Sequence, residues 1–368
     1  MHKFIRIIIV FFCLVAFNFQ TSIVKNANGQ GILRDTETEW FLRLISDPIF
    51  QVAGLDPAAV KMFILGDKTL NAFVSGGQNV FIFAGTIMKA HNVDELIGVI
   101  AHETGHMSGG HLARRNENMA SSGAMAITGV ILGAVAVLAG APDAGFAMMM
   151  GGQSMATYKA LGYSRAQEST TDQAGAKFLE ATGVSGKGVL EFFHTLKDQE
   201  LLSAKRRNPY LQSHPLHMER ITLLEAQFRE SPFWDTPPNP EYQYWFERIK
   251  AKLIGFMERP DITLRRYPES DKGLVATYAR IYAYQKALNW DKAMESALEL
   301  IARYPKDPFF KEIAGQILFE NGKSEEALSY YRDANRLAPR QSLIMTALAQ
   351  TLVSMEKTEM DAEARKIL

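Results

Sequence analysis

The chain has 368 residues, more than a single core usually serves, which predicts two domains. Lys plus Arg and Asp plus Glu number 40 each, so the net charge is zero and the electrostatic footprint of a nucleic-acid binder is missing. The only cysteine, Cys13, sits in an N-terminal apolar run, so a chain processed after that run has no thiol, which suits an oxidising compartment.

Met1 to Arg6 is a short basic start, and Ile7 to Phe17 is an apolar run too short to span a bilayer as a helix. Together they read as a secretory signal peptide over residues 1–28. The alternative is a retained anchor, because the stretch FNFQTSIVKNANG has no clean small-x-small site. Phe11 and Phe12 stand where a lipoprotein signal wants small residues, so lipidation is not expected.

Thr36 to Phe50 has apolar residues at helical spacing. Val60–Leu65, Thr69–Val74 and Asn79–Phe83, with Gly66-Asp67 and Ser75-Gly-Gly-Gln between them, read as three strands of an antiparallel sheet. Asn71, Ala72 and Phe73 are candidates for an edge to which an extended polypeptide adds a strand; equally, they are ordinary strand and turn residues.

Asp94 to His106 reads as a core helix, with Leu96, Ile97, Val99 and Ile100 on its apolar face and Asp94 and Glu95 in the first turn, where the helix dipole favours acids. It ends in His102-Glu103-Thr-Gly-His106, an HExxH motif. Residues four apart share a helical face, so both imidazoles can aim at one point, the geometry of a zinc site. Glu103 sits one position round, where a general base reaches a metal-bound water without itself binding metal. HExxH alone is a moderate signal in a chain of this length; histidines bonded to backbone carbonyls are the bland alternative.

In the pattern HExxHxxGxxH the last histidine lies six residues after the second, whereas His111 comes five after His106. His111 therefore reads as a helix-end or supporting residue rather than a ligand.

Ser121 to Gly140 is uncharged and long enough to cross a membrane. A single crossing would separate HExxH from the acidic residues that follow, so a helix buried on the catalytic core, or dipping into a membrane surface, is preferred. Gly145 to Gly152 is Met- and Gly-rich and reads as a lid or a mobile loop.

Tyr163 to Ala176 reads as a second helix, with Glu168 and Asp172 four apart on one face. Glu168 would be the third zinc ligand, and Asp172 would accept the free N–H of a ligating imidazole. A solvated acidic face is the ordinary alternative. Gly186 to Arg206 reads as an amphipathic helix and Pro209 to Pro215 as a loop, in which proline holds His214 extended. His214 could donate to an oxyanion or take zinc's open position. Arg220 and His217 are weaker supporting candidates.

Pro232 to Pro240 reads as a linker. Beyond it, Ala293 and Ala327, like Pro305 and Pro339, are separated by the tetratricopeptide period, and DKAMESALELIARYP matches SEEALSYYRDANRLAP, with Gly315 at a tight-packing position. A third repeat starts near Ser342, and Leu368 falls inside its expected second helix, so the last repeat reads as incomplete. Such repeats stack into a curved α-solenoid that grips a partner.

HETGH and ESTTD, with Asn71-Ala-Phe, Gly76-Gly and Ser213-His214-Pro215, resemble the membrane-associated gluzincins of the forty-eighth metallopeptidase family over roughly residues 33–227. That group holds the CAAX prenyl endopeptidases, HtpX and the BepA-like, beta-barrel assembly-enhancing proteases; the repeats favour the last branch. The resemblance implies His102, His106 and Glu168 as ligands of one zinc ion, Glu103 as the catalytic residue and Asp172 as its supporting neighbour. The expected fold is mainly α (α+β): a gluzincin-type domain over 29–231 with a small antiparallel sheet, a linker over 232–240 and a tetratricopeptide solenoid over 241–368.

The expected function is a zinc endopeptidase of the periplasm, cleaving misfolded or unassembled outer-membrane polypeptides, with repeats that dock clients or an assembly machine and peripheral membrane contact through 121–140. Two alternatives stay open: a chaperone or scaffold with a largely structural metal, and a membrane-embedded protease of the prenyl-protein type.

Overall fold

The computed structural model describes residues 31–111, 165–202 and 209–368. The signal segment and the stretches 121–140 and 145–152 lie outside the described residues. Two compact units divide the described chain: one holds residues 31–33 and Phe41–Phe246, the other Arg34–Trp40 and Glu247–Leu368.

The first unit is built on β1 (Ile32–Leu33), α1 (Thr36–Val52, from Phe41 onward), β2 (Lys61–Leu65), β3 (Ala72–Ser75) and β4 (Asn79–Phe83). On α1, Phe41, Leu42, Ile45, Ile49 and Phe50 repeat with helical period and are all buried. Each such side chain contributes roughly 1.5–3 kcal/mol of burial. The sheet has the order β1-β2-β4-β3. It is mixed, which corrects the expectation of an antiparallel sheet: β4 is antiparallel to β3 but parallel to β2, with Phe63 opposite Phe81. The reason lies in the connections. A tight turn at Gly76 and Gly77, both at positive φ, folds β3 back on β4 as a hairpin, whereas the β2–β3 connection crosses over and leaves β4 beside β2. Strand β1 is too short to leave a periodic pattern in sequence.

Chain order continues through α2 (Ala84–Lys89) and α3 (Val93–Ser108), then α4 (Arg165–Thr182), α5 (Lys187–Leu202), α6 (Pro209–Ser213) and α7 (Met218–Glu230). Asn92 starts α3 by accepting the Glu95 N–H on its side chain. Every residue from Val93 to His106 is buried, because α4, α5 and β3 all pack on this helix. Small residues permit that crowding: a Cβ on Gly188 of α5 would lie 2.4 Å from the Asp94 carbonyl carbon. No helix among the described residues is long and apolar enough to cross a membrane.

The second unit holds the rest of α8 (Pro240–Met257), α9 (Pro260–Arg266) and six helices, α10 (Leu274–Lys286), α11 (Trp290–Arg303), α12 (Pro308–Glu320), α13 (Ser324–Leu337), α14 (Ser342–Ser354) and α15 (Thr358–Ile367). Each of the six packs on its sequence neighbour. Leu274, Pro308 and Ser342 start at one interval, and Trp290, Ser324 and Thr358 repeat it. Ala293, Ala297 and Ala314 let large residues such as Tyr278, Phe310 and Ile317 fill the layer between helices. Gly315 faces the Tyr331 ring, where a Cβ would stand 3.1 Å away.

This unit also buries charge. Glu37 and Arg248 are both fully buried and pair at 2.5 Å, and Arg248 reaches Asp307 at 2.5 Å. Lys252 pairs with Asp35 and Glu37, Tyr278 donates its hydroxyl to Glu37 at 2.6 Å, and Thr36 donates to Glu312 at 2.8 Å.

Candidate metal centre

Four side chains from three places in the sequence meet inside the first unit. α3 supplies His102 and His106 from one face, α4 supplies Glu168, and His214 comes from the turn between α6 and α7; their donor atoms all lie within 4.8 Å of one another. All four residues are buried. The close approach of α3 to α4 depends on Gly105, since a Cβ there would sit 2.9 Å from both Cγ2 and the carbonyl oxygen of Thr171.

His102 Nε2 lies 3.2 Å from His106 Nε2 and 3.5 Å from Glu168 Oε2, and His106 Nε2 lies 3.3 Å from Glu168 Oε1. His214 Nδ1 is 3.2 Å from His102 Nε2 and 3.1 Å from Glu168 Oε1. A tetrahedron with metal–ligand bonds of about 2.0–2.1 Å has edges of about 3.3 Å, so this spacing suits four donors around one ion. Imidazole lone pairs that converge at 3.2 Å repel one another unless a proton or a cation lies between them. Three nitrogens and one carboxylate oxygen are also the donor chemistry of zinc.

The surroundings orient these donors. Asp172 Oδ1 stands 3.1 Å from His102 Nδ1, the nitrogen turned away from the group. Asp172 is itself gripped by Arg220, from Nε at 2.7 Å and Nη2 at 2.8 Å. Arg220 Nη1 lies 2.9 Å from Glu168 Oε2 and donates to the Pro215 carbonyl at 2.7 Å, tying the turn that carries His214 to the same guanidinium. The His214 ring stacks on Tyr210 with centroids 4.6 Å apart. His111 is buried, and its Nδ1 lies 3.1 Å from His106 Nδ1.

Electrostatics follows from burial and these neighbours. Burial opposes charge on Glu168, yet His214, His102 and His106 outweigh it and hold its carboxyl well below the usual range. Burial lowers His106, which keeps its imidazole neutral with a lone pair to give. Burial acts against charge on His102 too, but the Asp172 and Glu168 carboxylates win and push its pKa up to about 10. Glu103 is fully buried; burial pushes its pKa up, and neither carboxylate oxygen has a hydrogen-bond partner among the described residues. Its Oε1 lies 3.4 Å from His214 Nε2, at the edge of the donor group. A buried carboxylate held without hydrogen bonds is costly, and such a group is poised to take a proton.

The structure thus brings together His102, His106, Glu168, Asp172, Glu103 and His214. It does not bring the remaining candidates into the donor group. Asn71 and Ala72 are buried and Phe73 is half-buried with its ring stacked 4.8 Å from Phe81; β3 is the terminal strand of the sheet and packs on α3. His217 is the residue before α7 and makes no side-chain cap. Arg220 proves central to the arrangement, and Thr171, absent from the sequence reading, stands between His106 and His111. The only signal for Thr171 is its position three residues after Glu168, on the face that carries Asp172.

Comparison with known proteins adds an independent line. The model of "Peptidase family M48" matches residues 36–227. A "Beta-barrel assembly-enhancing protease" of Escherichia coli (strain K12) is 26% identical over 282 residues, covering 75% of this chain and 57% of the relative. A protein of the same name from Yersinia pestis is 24% identical over 277 residues, 74% of this chain and 56% of the relative. A "Mitochondrial metalloendopeptidase OMA1" of Schizosaccharomyces pombe is 32% identical over 78 residues, 21% of this chain and 23% of that one. The chain therefore spans less than two thirds of the length of these two assembly-enhancing relatives.

Proposed function

Because the chain belongs to peptidase family M48, whose model spans more than half of it, we propose that it is a zinc-dependent endopeptidase with His102, His106 and Glu168 as its ligands and Glu103 as its base. The observation that carries the reading is the convergence of four buried donors at tetrahedral spacing beside a carboxylate with no hydrogen-bond partner among the described residues. When bound, zinc supplies the positive charge that polarises a peptide carbonyl and acidifies a water molecule. Glu103 would take the proton of the attacking water and deliver it to the amine as the C–N bond breaks, a transfer helped by burial, which raises its pKa above the usual carboxylate value. Asp172 keeps the proton of His102 on Nδ1, and Arg220 grips Asp172 and reaches Glu168, orienting both carboxylates.

The place of His214 Nδ1 among the four donors supports the reading in which it closes the site, and its withdrawal would then open one position to substrate. The competing role is donation to the oxyanion after the turn has shifted.

The substrate class and setting rest on the relatives' names. Misfolded or unassembled outer-membrane polypeptides are the proposed clients, cleaved in the periplasm after removal of residues 1–28, with Asn71–Phe73 as the strand edge that receives them. The evenly spaced helix pairs of α10–α15 support a tetratricopeptide solenoid over residues 241–368, which would dock clients or an assembly machine.

Zinc content and casein degradation, measured for the wild type, Glu103→Gln and His214→Ala, test the reading. The protease reading expects Glu103→Gln to hold zinc and lose cleavage by two to four orders of magnitude; undiminished function in that variant would instead favour a scaffold. If His214 closes the site, His214→Ala raises the rate. If it serves the oxyanion, the rate falls on the order of a hundredfold or more.

A further inference from the structure

His106 and His102 are held differently from behind. His106 turns Nε2 toward the donor group, 3.3 Å from Glu168 Oε1; with an ion held at Nε2 the neutral ring would carry its proton on Nδ1, and that N–H needs an acceptor in a fully buried site. Among the described residues two atoms stand within reach: His111 Nδ1 at 3.1 Å and Thr171 Oγ1 at 3.3 Å, themselves 3.2 Å apart. The Thr171 hydroxyl can pass the hydrogen bond on to His111, so both routes can end on His111 Nδ1.

The backbone explains how a residue out of register for a metal ligand reaches this place. α3 ends at Ser108, Gly109 donates its N–H to the Gly105 carbonyl, and Gly110 takes φ +63°, a left-handed conformation that reverses the chain. The reversal lays His111 back along the helix, against Gly109, where a Cβ would stand 2.8 Å from His111 Nε2. The imidazole therefore ends behind His106 and outside the group of four donors.

We propose that His111 is a positioning residue for the metal centre: with Thr171 it accepts the Nδ1–H of His106, fixing that ring's tautomer and orientation as Asp172 does for His102. The two ligand histidines then differ in kind. His102 is backed by a carboxylate held by arginine, and His106 by a hydroxyl and an imidazole, which add no negative charge near the ion. Gly109 and Gly110 belong to the same device.

The inference rests on the metal-site reading above, and its test separates the two. Zinc affinity is measured by competition with a chromophoric chelator for the full chain, for His111→Phe, which keeps a ring without an acceptor, for His111→Gln, which keeps an acceptor, and for Thr171→Val. The unfolding midpoint of each metal-free chain is measured alongside. His111→Phe is expected to weaken zinc binding about 10- to 100-fold, His111→Gln to recover most of that loss, and Thr171→Val to fall between. The metal-free midpoints of His111→Phe and His111→Gln should agree.

In cobalt-substituted protein the exchangeable Nδ1–H signal of His106 should shift or vanish in His111→Phe while that of His102 persists. If the unsubstituted chain takes up no zinc, the proposed function falls together with this inference. If it takes up zinc and His111→Phe binds equally well, or His111→Gln is as weak as His111→Phe, only the positioning role is overturned; Thr171→Val keeps the question open to experiment should both His111 variants fail to fold.

Discussion

Gly105→Ala sets two ordinary effects against each other, and the structure decides between them. In an exposed helix interior the change stabilises by about 1 kcal/mol, because alanine loses less backbone entropy than glycine. Here the new Cβ would lie 2.9 Å from Thr171 Cγ2, 2.9 Å from the Thr171 carbonyl oxygen and 3.3 Å from its Cα. Carbon atoms prefer about 3.5–4.0 Å, so α3 and α4 must part by roughly 0.6 Å at this level.

Overpacking of this kind costs about 1–3 kcal/mol, which offsets or exceeds the gain in propensity. The larger consequence falls on the donors, because His106 is the next residue on α3 and stands 3.3 Å from Glu168 on α4. Metal–ligand bonds tolerate about ±0.2 Å, so zinc affinity should drop on the order of tenfold or more while the metal-free chain loses about 0–2 kcal/mol. Chelator competition reads the first quantity and denaturant unfolding of the metal-free chain the second. A Gly105→Ala chain more stable than the wild type, with unchanged zinc affinity, would refute the claim that this glycine sets the helix separation.

Arg248→Met takes from the fully buried Glu37 its 2.5 Å partner, leaving it Lys252 and the Tyr278 hydroxyl, and removes the guanidinium from Asp307; removal of one member of such a pair costs up to about 3–5 kcal/mol, and a loss under about 1 kcal/mol in urea unfolding would contradict that account. Burial holds Glu312 up at about 8, so the fold prefers its neutral form: the associated stability is full below the ordinary carboxylate value of 4.5 and is lost as pH rises through about 8. Glu312→Gln, neutral at every pH, should therefore gain on the wild type by about 1–2 kcal/mol at pH 9, with the gain shrinking toward zero near pH 4; a gain independent of pH would speak against titration of Glu312. Because the Asp172 and Glu168 carboxylates overcome burial and raise His102 to about 10 in the metal-free chain, zinc must displace its proton at pH 7. Calorimetry in buffers of different ionisation enthalpy should then detect about one proton released from this residue per zinc, and release near zero would show that His102 is already neutral.

Much of the chain was legible because its signals are local. Helical periodicity announces α1 and α3, the four-residue spacings place His102 with His106 and Glu168 with Asp172, and the recurrence of Ala293 and Pro305 at Ala327 and Pro339 announces the spacing of α10–α15. Each is an i, i+4 or repeat pattern that helix geometry alone converts into a shared face.

What the tertiary structure alone decided are contacts between residues far apart in the chain. The parallel pairing of β2 with β4 depends on a crossover that no strand pattern encodes. Arg220 is only a weak supporting candidate as a lone arginine in sequence, yet it joins Asp172, Glu168 and Pro215. The pairing of Glu37 with Arg248 spans the whole first unit in sequence. His111 shows the division most clearly. Its spacing from His106 excludes it from the ligand pattern, and only the chain reversal at Gly110, a backbone conformation set by packing as much as by residue type, puts its ring behind the ligand. Short-range order comes from one residue's constraints on the next few, whereas a site that closes three distant segments on one point exists only once the whole unit has packed.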